Sequence, residues 1–215
     1  MNQYIINPIP KTNILLTNNF LSSKQNDAHY TGHYMKYINN LYELIKTNKD
    51  LISLYNMYNP NSNSNTRKSF LLKIITSTSE NSKIYNNAAQ IFNHELYWNS
   101  LIQQEESIKI LIDNKDKFFH NLQHFKKFYS DFIEKGVSHF GSGWLWIYVN
   151  KDNMLDIITT HDAIVPIDID FFICIDLWEH AYYVDYEYKR KEYLQNIFKL
   201  INWNIILNNP NFNKK

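Results

Sequence analysis

Phe171-Phe172-Ile173-Cys174-Ile175-Asp176-Leu177-Trp178-Glu179-His180 is the stretch on which the fold turns. Its first five residues are uniformly apolar, the pattern of a short buried strand, and Asp176 closes the run. An acid and an imidazole then follow four apart. A residue at a strand end is held rigidly by its sheet, so Asp176 and His180 can converge on one point while Trp178 between them shields it from water. A structural ion pair capping the strand would use the same residues, and the stretch alone leaves both readings open. Upstream, residues 144–149 and 155–160 are β-prone runs separated by Asn150-Lys151-Asp152-Asn153, a turn-forming sequence that predicts an antiparallel hairpin. Three short strands therefore form one small antiparallel sheet.

The rest of the chain reads as helix. From residue 20 to residue 54 apolar side chains recur at helical spacing (Tyr34, Tyr37, Ile38, Leu41, Leu44 and Ile45), predicting one long amphipathic helix. Asn59-Pro60-Asn61-Ser62-Asn63-Ser64-Asn65 ends it as a polar loop that reads as a tolerated insertion. A second helix is expected over 84–101, antiparallel to the first, and helical patterning continues to Phe132 and returns after His180 to about Leu207. The predicted class is α+β: an N-terminal helical hairpin over 1–105, then an α/β half over 106–215 with the three-stranded sheet.

Composition removes several function classes. Only four of the 215 residues are glycine, at positions 32, 136, 141 and 143, so no dinucleotide-binding loop, phosphate loop or nucleophile elbow can be written. A formal charge of +1 lacks the basic excess that nucleic acid demands. No apolar run is long enough to span a membrane. The single Cys174 can form neither an intrachain disulfide nor a cysteine zinc cluster, so a bound metal would need histidines and carboxylates. The first twenty residues carry no legible secretory or transit pattern, and the expected location is intracellular, cytoplasmic or mitochondrial.

Eight histidines will place some pairs in suggestive positions by chance. His29 and His33 share a helix face, but His120 and His124 have the same spacing between lysines, where a solvated surface explains them. His94 lies among aromatics in Asn93-His94-Glu95-Leu96-Tyr97-Trp98. Burial there obliges its ring nitrogens to find partners, in a metal site or as a satisfied core histidine.

Three strings together carry a resemblance. Asn86-Asn87-Ala88-Ala89-Gln90-Ile91-Phe92-Asn93-His94-Glu95-Leu96-Tyr97-Trp98, Phe140-Gly141-Ser142-Gly143-Trp144-Leu145-Trp146 and Asp176-Leu177-Trp178-Glu179-His180-Ala181-Tyr182-Tyr183-Val184-Asp185-Tyr186 closely resemble the iron/manganese superoxide dismutases, in the same order from about His29 to Trp203. The resemblance implies a mononuclear site with ligands His29, His94, Asp176 and His180, a set suited to a borderline transition metal with one position left for solvent. It further implies that Gln90 donates its amide to metal-bound hydroxide, that Tyr37 bonds Gln90 and guards the channel, that His33 sits at the channel mouth and that Trp144 and Trp178 form apolar walls. Arg190 matches a basic residue that attracts the small anion. Glu179, Tyr183, Ser142 and His33 are expected at the interface of a homodimer. Iron-type members carry the glutamine where Gln90 stands, and the sheet position that delivers it in manganese-type members is Ala163 here. Iron, one ion per subunit, is therefore expected and manganese disfavoured, with superoxide converted to dioxygen and hydrogen peroxide by Fe(III)/Fe(II) cycling.

The match departs in places. Tyr34 stands where relatives carry a second consecutive His, Gly32 where they carry Lys, and Phe92 where iron-type members often carry Trp. The first 28 residues match poorly, the usual Pro-His before the first helix is missing, and the Asn/Ser loop is an addition. His139 and His161 occupy positions that relatives fill otherwise and are assigned no metal. Two competing classes are another mononuclear iron enzyme, such as an oxygenase with two histidines and a carboxylate, and a catalytically silent dimer.

Overall fold

The computed structural model describes residues 6–11, 20–80 and 82–212. Helices dominate the first half, and a three-stranded antiparallel sheet of order β2-β1-β3 follows. The strands are β1 (Gly143–Val149), β2 (Leu155–His161) and β3 (Phe171–Asp176), each within about a residue of its expected bounds. β1 is central, and its Trp144, Leu145, Trp146 and Ile147 are fully buried. Each such large side chain contributes roughly 1.5–3 kcal/mol relative to exposure. The hairpin turn works as its residue types require: Asn150 Oδ1 accepts from the amides of Asp152 and Met154 at 3.0 Å each, and Asn153 adopts a left-handed φ of 57°. In the β1–β3 register Trp144 lies opposite Asp176, so the acid that closes the apolar run sits at the sheet's end beside a tryptophan.

The first half is more finely divided than the single hairpin expected. α1 (Ser23–Asp27) runs through a π-helical stretch (Ala28–Tyr34) into α2 (Met35–Thr47), and the chain then breaks at Asn48 before α3 (Lys49–Tyr58). The break has a local cause. Asn48 leaves helical conformation, and its side chain caps α3 by accepting from the amides of Asp50 and Leu51 at 2.9 and 3.1 Å. A further helix, α4 (Ser64–Ser77), which the sequence does not lead one to expect, starts inside the Asn/Ser run. Asn63 caps it, and with Thr66 it forms a reciprocal capping box, so the polar run is largely a helix start. α4 and α2 both pack on α5 (Lys83–Asn99), the most buried helix among the described residues.

Helices α6 (Gln104–Asp113), α7 (Lys115–Phe118) and α8 (Leu122–Ser138) lead to the sheet. After β3 come a single 3₁₀ turn (Glu179–Ala181), α9 (Tyr183–Tyr186), α10 (Arg190–Phe198) and α11 (Asn204–Leu207). No helix among the described residues is long and apolar enough to cross a membrane. Asn48→Ala should remove the α3 cap at a cost of about 1 kcal/mol. Thermal unfolding should then show a midpoint lowered by roughly 2–4 °C, and an unchanged midpoint would contradict the role given to that side chain.

Candidate metal centre

Four elements deliver the buried polar groups of one site. The π-helical stretch carries His29, α5 carries His94, the end of β3 carries Asp176, and the 3₁₀ turn carries His180. A π-helical turn widens the helix and is frequent at functional positions. Here it holds both His29 and His33. His29 and His94 are buried, Asp176 is completely so, and only His180 keeps partial exposure.

Each donor has one atom committed elsewhere or one atom left over, and the leftovers face each other. His94 Nδ1 lies 2.6 Å from the Gln90 carbonyl oxygen, so it must donate there, which leaves Nε2 with a lone pair. Asp176 Oδ1 accepts from the Trp178 amide at 2.8 Å, which leaves Oδ2. His29 Nε2, His94 Nε2, His180 Nε2 and Asp176 Oδ2 are all buried without a hydrogen-bond partner. The three nitrogens stand 3.2, 3.8 and 3.3 Å from Asp176 Oδ2 in the order His29, His94, His180, and the ligand atoms of all four residues lie within 4.8 Å of one another. Buried polar groups are ordinarily satisfied. Four orphans converging from distant parts of the chain are what a cation would satisfy at once, and three imidazoles with one carboxylate suit iron or manganese.

Electrostatics agree with that reading. Burial lowers the pKa of His29 and lowers that of His94 well below its usual value, so both rings present neutral lone pairs. Burial alone would raise Asp176, but His180 and His29 beside it outweigh burial and hold the carboxyl below its ordinary value, which keeps the anion.

The surroundings are aromatic. Trp144 packs edge-on to the His94 ring at 5.1 Å between centroids, Trp178 stacks on His180 at 5.4 Å, and Tyr37 lies 5.5 Å from His94. His33 stacks on His180 at 4.0 Å, and burial with neighbouring His180 lowers its pKa to about 4. Burial, then the Asp176 charge, raises Tyr37 to about 12. Gln90 is buried one turn before His94 on α5, with Oε1 unpartnered. At the sheet position, Ala163 has no side-chain donor to offer.

The other expected residues lie further out. Glu179 and Tyr183 are exposed, Ser142 is half-buried, and beside them in sequence Phe140 and Tyr188 are exposed apolar groups. Arg190 does not stand as a free cation. Its Nε donates to Tyr182 Oη at 2.9 Å, Nη1 to the His139 carbonyl at 2.6 Å and Nη2 to the Gly141 carbonyl at 3.0 Å, so it braces the loop before β1.

Several contributors are not marked as such by the sequence. Trp98 and Tyr97 pack on His29 at 5.2 and 5.6 Å, and Tyr193 donates to the Asp176 carbonyl at 2.9 Å. Trp98 is four residues after His94, so helical spacing could have signalled it, whereas Tyr193 is brought in by tertiary folding alone. The Tyr34 ring lies 6.2 Å from His94, but its hydroxyl points away from the four donors. Its hydroxyl donates to Glu95 Oε1 at 2.6 Å and accepts from the Ile9 amide at 3.1 Å, while Arg67 donates to the same oxygen at 3.2 Å.

The fold and the buried donors define a mononuclear metal protein of the α+β class. A profile described as "Iron/manganese superoxide dismutases, C-terminal domain" matches residues 104–209. "Superoxide dismutase [Fe]" of Helicobacter pylori is 34% identical over 191 residues, covering 87% of this chain and 80% of the relative. The protein of the same name from Salmonella typhimurium is 33% identical over 194 residues, with 88% and 89% covered, and "Superoxide dismutase [Mn/Fe]" of Rickettsia conorii is 37% identical over 192, with 85% and 82% covered. The chain belongs to the iron/manganese superoxide dismutase family.

Trp144 and Trp178 both hang on one backbone oxygen. The Asp162 carbonyl accepts from Trp144 Nε1 at 3.0 Å and from Trp178 Nε1 at 3.1 Å, and Asp162 holds a φ of 50°. A β-branched residue is strained there and glycine is not. Asp162→Val should cost about 1–2 kcal/mol and shift tryptophan fluorescence, while Asp162→Gly should leave the emission near wild type. Equal emission in the two variants would contradict the shared anchor.

Proposed function

We propose that the protein is an iron superoxide dismutase whose ion is held by His29, His94, Asp176 and His180. The observation that carries this reading is the convergence of four buried, unpartnered donor atoms in a chain of this family. Bound iron would supply the electron exchange, cycling between Fe(III) and Fe(II) so that one superoxide is oxidised to dioxygen and another, with two protons, is reduced to hydrogen peroxide. The protein supplies position, potential and access.

Neutral His29 and His94 leave the ionised Asp176 as the negative charge facing the ion. Gln90 is assigned the orienting hydrogen bond at the ion's solvent position, the kind of outer contact that tunes both affinity and potential. Tyr37, its pKa raised to about 12, keeps its proton at ordinary pH and serves as a hydrogen-bond donor at the channel. His33, lowered to about 4, stays neutral there and adds no fixed cation. Trp144 and Trp178 exclude water and larger molecules. Arg190 keeps its charge while bracing the loop, and contributes to the field that draws an anion. The absence of an amide at Ala163 supports iron over manganese.

The working unit in this reading is a homodimer joined through Glu179, Tyr183, Ser142 and His33, supported by the exposed Phe140, Tyr183 and Tyr188 on that side of the sequence. The two halves meeting near residue 105 act as two ligand carriers, His29 and His94 from the first and Asp176 and His180 from the second. An intracellular site of action, cytoplasmic or mitochondrial, belongs to the same reading and draws on the buried, unpaired Cys174.

Metal analysis and a superoxide-removal assay on one preparation test this function. About one iron per chain with dismutation that hydrogen peroxide abolishes is expected, and stoichiometric iron without dismutation would eliminate it. His94→Ala should lose metal and activity together. Gln90→Ala should keep most of its metal while activity falls roughly 10–100-fold.

A further inference from the structure

Gln25 lies on α1, four residues before His29, and is completely buried. Its amide reaches across to the second half of the chain: Nε2 donates to the His180 carbonyl at 2.6 Å, and Oε1 accepts from the Val184 amide at 3.0 Å. Only one orientation of the amide satisfies both bonds, because a carbonyl needs a donor and an N–H needs an acceptor. The group therefore ties down the turn that carries His180 and the first turn of α9 behind it.

We propose that Gln25 is a positioning residue for the metal ligand His180, an inference that rests on the iron reading above. One helical segment then presents a ligand directly, through His29, and fixes a second ligand from outside, through Gln25. The distance between the two imidazoles becomes a property of that segment. The rings stand 4.9 Å apart, and the segment has few ways to change this while the Gln25 bonds persist. Outer contacts of this kind orient ligands and commonly change metal affinity by about 10–100-fold. The neighbouring bonds from the same strap are of a different sort. Ser22 donates through its amide and hydroxyl to Asp185 at 2.6 and 2.7 Å, and Tyr186 donates to the Phe20 carbonyl at 2.6 Å, so these join the halves without touching a ligand residue.

That difference supplies the control. In the iron-loaded full-length chain, iron release to a chelator and the electron paramagnetic resonance spectrum of the ferric form would be recorded for wild type, Gln25→Met, Gln25→Glu and Tyr186→Phe. Both Gln25 variants should release iron roughly 10-fold faster, with an altered spectrum. Gln25→Glu keeps the volume and the acceptor for Val184 and loses only the donor to His180, so it carries the same test if Gln25→Met fails to fold. Tyr186→Phe should lower the thermal midpoint and leave release rate and spectrum as in wild type. Wild-type release and spectrum in the folded Gln25 variants would overturn the proposal, as would an equal acceleration in Tyr186→Phe. A wild-type chain that retains no iron would overturn the metal reading itself, and this inference with it.

Discussion

A carboxylate with no exposure at the end of β3 is the constraint around which the chain is arranged. Removing an ion from water costs several kcal/mol even after relaxation, and the Trp178 amide on Oδ1 offsets only part of that cost for Asp176, whose Oδ2 stands unpartnered. The imidazoles in turn present lone pairs to the same small volume. Without a cation the four groups are incompletely satisfied. With one, each acquires a partner, and binding free energy becomes folding free energy. The helices and sheet can thus be understood as devices that hold four atoms within a few ångströms.

The arrangement explains where the protein spends its aromatic residues. Trp144, Trp178, Trp98, Tyr97 and Tyr37 pack against the rings of His29, His94 and His180, so the orientation of those rings is limited by neighbours with few rotamers of their own. Close packing of this density transmits small shifts. The loop before β1 shows how tightly the shell is built. Gly143 faces the His139 ring so closely that an added Cβ would lie 2.3 Å from its Nε2, and Arg190 stitches the same loop to α10.

Much of this was legible in the residues. The apolar run ending at Asp176, the two runs flanking Asn150–Asn153 and the aromatic setting of His94 each announce their structure, because burial and turn chemistry are local pressures. The break at Asn48 and the start of α4 inside the Asn/Ser run are not legible, although both rest on asparagine caps. A low-complexity composition masks a capping residue, and a continuous apolar period runs through a one-residue break. Spacing alone does not single out the proposed ligands, since His120 and His124 show the same spacing as His29 and His33. Contacts such as Tyr193 to the Asp176 carbonyl, or Arg190 to the loop, depend on chain segments distant in sequence, and nothing in a single sequence marks them.

Tyr34 illustrates a departure absorbed without harm to the centre. Its hydroxyl joins Glu95, the residue after His94, and Arg67 in a part-buried polar network. Its ring still packs against the site, 6.2 Å from His94 and edge-on to Trp98 at 5.1 Å. The most direct measurement is diffraction from crystals of the iron-loaded chain on either side of the iron absorption edge. One anomalous peak within bonding distance of His29 Nε2, His94 Nε2, His180 Nε2 and Asp176 Oδ2 is the predicted result, and iron bound anywhere else, or held by fewer than these four, would contradict it.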